Sequence, residues 1–128
     1  MLGTNELSIL SEKRVLIVED EMLVALLIET FLVDWGCVTA GPYSSVAEAL
    51  EAVESIEVDL AILDVNLGNE KSYPIAEALD SRGKPFLFLS GYGKQAIPLA
   101  HPTWAVCAKP FSEEGLAKML LAVLTSSC

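Results

Sequence analysis

The stretch Asp59-Leu60-Ala61-Ile62-Leu63-Asp64-Val65-Asn66-Leu67 decides how this chain folds. Residues 60–64 form a short apolar run that stops on a carboxylate. Such a run fits a strand buried on both faces, as in a parallel sheet. The sequence then breaks at Asn66, Gly68 and Asn69, which are loop residues. Asp64 is therefore expected at the carboxyl end of a central strand, the edge where open α/β sheets bind ligands. Taken alone, Asp64 reads equally well as a loop residue; the other strand ends decide.

Working outward, residues 14–18 (RVLIV) form a second β-branched run that stops at Glu19-Asp20-Glu21. Three successive acids fit a helix N-terminus, where each is favoured by about 0.3–1 kcal/mol. That is the usual reading of such a run; a divalent cation is the sharper one, and the two are compatible. A helix is predicted from Met22 to about Trp35, closed by Gly36. It is more apolar than a one-sided helix needs. Leu23, Leu27 and Phe31 are expected to face the sheet, leaving Val24, Ile28 and Leu32, or Leu26 and Val33, for another face.

Residues 37–40 read as a strand ended by Gly41-Pro42. Ser45 and Glu48 form a capping box for a helix to about Ser55, with Val46, Leu50 and Val53 inward. After the central strand, Pro74 opens a helix through Ser81. Residues 86–89 form a strand ending on Ser90-Gly91. Residues 92–103, with Gly93, Pro98 and Pro102, support no more than a helical turn near 94–97. Residues 104–108 form the fifth strand, ending on Lys109-Pro110. Ser112 caps the last helix, whose inward stripe is Leu116, Met119, Leu120, Val123 and Leu124. Strands and helices thus alternate. This predicts an α/β fold: a doubly wound five-stranded parallel sheet, order 2-1-3-4-5 as in flavodoxin-like folds, with a weak or mobile fourth helix. Residues 1–13 read as a tail or short leading turn, 14–125 as one domain and 126–128 as a C-terminal tail. No output domain is expected after the last helix.

The bulk numbers fit a single globular domain: 128 residues, 52% hydrophobic and 20% charged. The formal charge is −10, from 18 acidic and 8 basic residues, which argues against a nucleic-acid surface. Cys37, Cys107 and Cys128 form no CxxC pair and read as free thiols of a reducing cytoplasm. Residues 1–13 lack a signal-peptide core. The longest apolar run, residues 22–28, is too short to span a bilayer. No P-loop or dinucleotide fingerprint is present. His101 lacks a partner at ligand spacing and is expected to be exposed.

In a parallel sheet Glu19, Asp20, Asp64, Ser90 and Lys109 share one edge. The three acids, a backbone carbonyl and waters make the all-oxygen shell that Mg²⁺ takes. Without metal they raise one another's pKa values. With metal, Asp64 stays ionised as a nucleophile toward a phosphoryl group. Lys109 supplies positive charge and Ser90 a hydrogen bond to the phosphoryl oxygens.

The ordered motifs VLIVEDE, LAILDVNLG, FLFLSGYG and AKPF resemble the receiver domain of two-component response regulators (CheY-like), over about residues 14–125. The resemblance implies that Glu19 and Asp20 are the acidic metal-binding pair and Asp64 the phosphoacceptor. It implies that the Asn66 backbone carbonyl binds Mg²⁺, that Ser90 is the switch hydroxyl, that Lys109 is the family's lysine, and that Lys109-Pro110 is cis. Phosphate is then expected from a phosphohistidine of a sensor histidine kinase, with slow self-catalysed loss to water. This is a phosphoacceptor signalling module rather than a classical enzyme. Receivers commonly carry Tyr or Phe three residues before the lysine. Here Val106 stands there, and Trp104 is not carried over to that role. The segment PFLFLSGYG also resembles single-domain FAT GUY regulators, found with HWE-type kinases, with Ser90 and Leu89 in place of their threonine and alanine. A binding-only receiver-like module is the alternative. A haloacid-dehalogenase-like phosphohydrolase is disfavoured, since it needs a second acid where Asn66 stands. Readout is expected by protein contact, with the apolar surplus on the first and last helices as a docking or homodimer face.

Overall fold

The computed structural model describes residues 4–126. Cys128 therefore lies outside the described residues. Five strands form one all-parallel sheet: β1 (Arg14–Val18), β2 (Val38–Tyr43), β3 (Leu60–Asp64), β6 (Phe86–Ser90) and β7 (Val106–Ala108), in the order β2-β1-β3-β6-β7. Between β3 and β6, β4 (Asn66–Leu67) and β5 (Glu70–Lys71) pair as a small antiparallel hairpin. Setting that hairpin aside, this is the predicted strand order. β3 and β6 are buried at every position because helices cover both faces.

One face packs on α3 (Val46–Ser55) and α4 (Tyr73–Ser81), through Ala49, Val53, Ile75 and Leu79 against Leu16, Leu63 and Phe88. The other packs on α2 (Met22–Asp34) and α5 (Glu113–Ser126), through Ile28, Leu32, Leu116 and Leu120 against Ile17, Ile62 and Leu87. A leading turn, α1 (Thr4–Leu7) running on into residues 8–10, adds Leu10, which is fully buried in this second core. The Cys37 thiol donates to the Leu10 carbonyl (3.3 Å). Leu7 packs against the same core, so the stretch read as a tail or short leading turn is a leading turn docked on that core. Cys37 and Cys107 are free and buried.

The predicted caps form. Ser45 Oγ accepts from Glu48 N (3.2 Å), and Ser112 Oγ accepts from Gly115 N (2.9 Å). Residues 93–96 make one 3-10 turn where only a helical turn was expected.

Three expectations are corrected. The sheet-facing residues of α2 are Ala25, Ile28 and Leu32, whereas Leu23 is 83% exposed and Leu27 44% exposed. Second, β2 does not stop at Gly41-Pro42 but crosses it as a bulge, with Val18 pairing Tyr43. An edge strand tolerates proline there, since no neighbour waits for its missing N–H. Gly41 has φ +104°, and a Cβ on it would lie 2.7 Å from the Ile17 carbonyl oxygen, so glycine is required. Third, His101 is half-buried and stacks on Trp104 with ring centroids 3.8 Å apart.

Candidate functional site

All five polar signatures meet at the carboxyl edge of the sheet. Glu19 and Asp20 follow β1, Asp64 ends β3, Ser90 ends β6, and Lys109 follows β7. The bulged end of β2 places Glu19, whose N–H donates to the Tyr43 carbonyl (3.0 Å). Ser90 and Lys109 are held together by the Lys109 N–H to Ser90 carbonyl bond (2.9 Å). The Lys109-Pro110 peptide is cis, as is Gly41-Pro42.

Lys109 Nζ stands 3.3 Å from Asp64 Oδ1 and 3.5 Å from Glu19 Oε2. Glu19 Oε1 accepts from the Glu21 N–H (3.1 Å), while Glu19 Oε2 is buried without a hydrogen-bond donor. Glu19, Asp20 and Asp64 each offer a carboxylate oxygen, and these lie within 4.8 Å of one another. Burial, and then the Asp64 charge, push the Glu19 carboxyl from 4.5 up to about 7. At Lys109 burial works to lower the pKa, but the charges of Glu19 and Asp64 outweigh it and hold the ammonium above its ordinary value.

Three carboxylates facing one ammonium leave excess negative charge, and one buried oxygen lacks a donor. A hard divalent cation answers both defects, and exposed Asp20 leaves room for the waters that Mg²⁺ retains. The residues therefore fit Mg²⁺.

Ser90 Oγ accepts from the Tyr92 N–H (3.0 Å). Asn66 opens β4, and its side-chain oxygen accepts from Lys71 Nζ. Sequence reasoning treated 66–71 as plain loop and so missed Lys71. The signal was present: Gly68-Asn69 is a two-residue hairpin turn, and Gly68 has φ +65°. Val106 pairs with Phe88 in the sheet, while Trp104 packs on Phe86 and Phe88 in the core.

A doubly wound parallel sheet with acids, a hydroxyl and a lysine on its carboxyl edge is the arrangement of a receiver domain. Residues 15–121 match the response regulator receiver domain, and the chain belongs to that family. It is 35% identical over 79 residues to the regulatory protein VanR of Enterococcus faecium, a match spanning 61% of this chain and about a third (34%) of that protein. Among solved structures, SdrG from Sphingomonas melonis Fr1 is 43% identical, with 89% of this chain and 97% of that one covered and a TM-score of 0.78. A BeF₃-activated conformation of SdrG, from Pseudomonas melonis Fr1, is also 43% identical over 89% of this chain and 98% of that one, with a TM-score of 0.75. The receiver domain of the PhyR response regulator from Erythrobacter litoralis shares the fold at 24% identity and TM-score 0.80, covering 93% and 95% of the two chains. Among the described residues no helix is long and apolar enough to cross a membrane.

Proposed function

We propose that Asp64 accepts a phosphoryl group from the phosphohistidine of a sensor histidine kinase. The single observation that carries this is Lys109 Nζ lying 3.3 Å from Asp64 Oδ1 beside the acid cluster. An Asp64 oxygen attacks phosphorus, the P–N bond breaks, and the imidazole leaves with its electron pair and takes up a proton. Glu19, Asp20, Asp64 and the Asn66 backbone carbonyl would hold Mg²⁺, which supplies positive charge opposite the phosphoryl oxygens. Lys109 swings its ammonium from carboxylate to phosphoryl oxygen, and Ser90 donates its hydroxyl proton to another. Water later hydrolyses the acyl phosphate and returns Asp64.

The likeness to a protein described in a BeF₃-activated conformation supports an activatable site. The resemblance of PFLFLSGYG to the FAT GUY regulators supports a kinase of the HWE type. Signalling then proceeds by protein contact. The exposed apolar residues of α2, including Leu23 and Leu26, are the surface for docking or for a homodimer. A cytoplasmic location follows from that role.

The test is incubation with a small phosphodonor and Mg²⁺, followed by intact mass. Wild type is expected to gain one phosphoryl group, and Asp64→Asn none. A wild type that gains no mass, with its site intact, turns the assignment to a binding-only module.

A further inference from the structure

We propose that Lys71 is a positioning residue for the metal site, acting through Asn66; this rests on the Mg²⁺ reading above. A backbone carbonyl is a good metal ligand only when its peptide is held, and Asn66 lies two residues beyond Asp64 in a strand of two residues. Strand pairs this short do not hold themselves. The structure shows what holds this one.

Asn66 pairs with Lys71 and Leu67 with Glu70 across the hairpin. The Lys71 ammonium donates to Asn66 Oδ1, joining the same two residues through their side chains. At the next position Glu70 Oε2 accepts from the Val46 N–H (3.4 Å), at the N-terminus of α3, where a carboxylate is favoured. The Ser72 N–H closes the loop onto the Val65 carbonyl (3.0 Å), and buried Leu67 anchors it from below. At the other end the turn passes close to a second acid of the cluster: a Cβ on Gly68 would lie 3.9 Å from Asp20 Oδ2. The hairpin therefore runs from one metal-site carboxylate to another, and Lys71 pins the strand that carries the carbonyl. It also occupies the Asn66 amide oxygen, which is thereby removed as a competing ligand.

Charge and position make opposite demands on Lys71. A nearby cation weakens Mg²⁺ binding by repulsion, so losing it should tighten binding. A pin strengthens binding by preorganisation, so losing it should loosen binding. The sign of the change decides.

The experiment is a calorimetric Mg²⁺ titration of the intact protein at fixed pH and salt, with thermal unfolding of the metal-free forms alongside. Lys71→Met is expected to raise the Kd for Mg²⁺ about 10-fold with the metal-free Tm nearly unchanged. Lys71→Arg, which keeps a donor, is expected to restore most of the affinity. Asn66→Ala removes the acceptor instead, and combining it with Lys71→Met should add no further loss, as for two halves of one contact. This second variant also answers the case in which Lys71→Met fails to fold. Mg²⁺ binding by Lys71→Met as tight as wild type or tighter overturns the inference and leaves the phosphoacceptor reading standing. A wild type that binds no Mg²⁺ overturns both.

Discussion

Glu19 is the residue on which the site's electrostatics turn. It is 3% exposed, faces Asp64 across Lys109, and is pushed from 4.5 to about 7, first by burial and then by the Asp64 charge. The folded chain therefore holds this proton more tightly than the unfolded chain does. Linkage then fixes the sign: the stabilisation from protonated Glu19 is fully present below about pH 4.5 and is lost as pH rises through about 7. Its ceiling is about 3 kcal/mol by the pKa difference. In metal chelator, the unfolding free energy from urea titration should fall between pH 5 and pH 8, by roughly that ceiling at most, and the midpoint should fall with it. Glu19→Gln, which keeps the shape and cannot ionise, should flatten that fall. An unchanged pH slope in Glu19→Gln would place the titrating group elsewhere.

At the scale of elements, α2 shows how burial divides an almost wholly apolar helix. Ile28 is fully buried against the sheet, while Leu23, five residues earlier, lies open to solvent. Ile28→Ala should cost about 2–5 kcal/mol in denaturant unfolding, for lost burial and a residual cavity. Leu23→Ala should stay within about 0.5 kcal/mol. Equal costs would mean that the exposed face is covered in solution. The sequence could not choose between these faces, because 3.6-residue spacing selects a face only when polar residues mark the other. Four of the sheet's five strands were legible for the opposite reason: β1, β3, β6 and β7 are each a short apolar run stopped by a polar residue. Those stops gave the site its Glu19, Asp20, Asp64, Ser90 and Lys109. The residues that hold the site were less legible. Lys71 and Glu70 act through a hairpin of two-residue strands, too short for alternation to register, and Leu10 lies in a stretch with little apolar periodicity.

Across the whole molecule, the carboxyl edge would couple the acid cluster to the segment after β6. The coupling atom is Ser90 Oγ, which now accepts from the Tyr92 N–H. The segment is tied down at two further points: the Tyr73 hydroxyl donates to the Ala96 carbonyl, and Trp104 is packed against Phe86 and Phe88. Between these points, Tyr92 and Leu99 are exposed, and Lys94 to Ile97 has one backbone bond closing its turn. An acyl phosphate on Asp64 would draw the Ser90 hydroxyl toward it and away from Tyr92. The freed N–H must find another acceptor, so the start of the segment has to rearrange. With Val106 where receivers commonly place an aromatic ring, this backbone route would carry the signal here. Phosphorylation should therefore change amide-exchange protection across 91–103 and leave β1 and β3 as they were. Ser90→Ala should still accept phosphate but lose most of that change, since the link from phosphoryl oxygen to segment is gone. Protection across 91–103 that is the same in free and phosphorylated protein would sever the site from this segment and leave the signal to travel through α2 or α5.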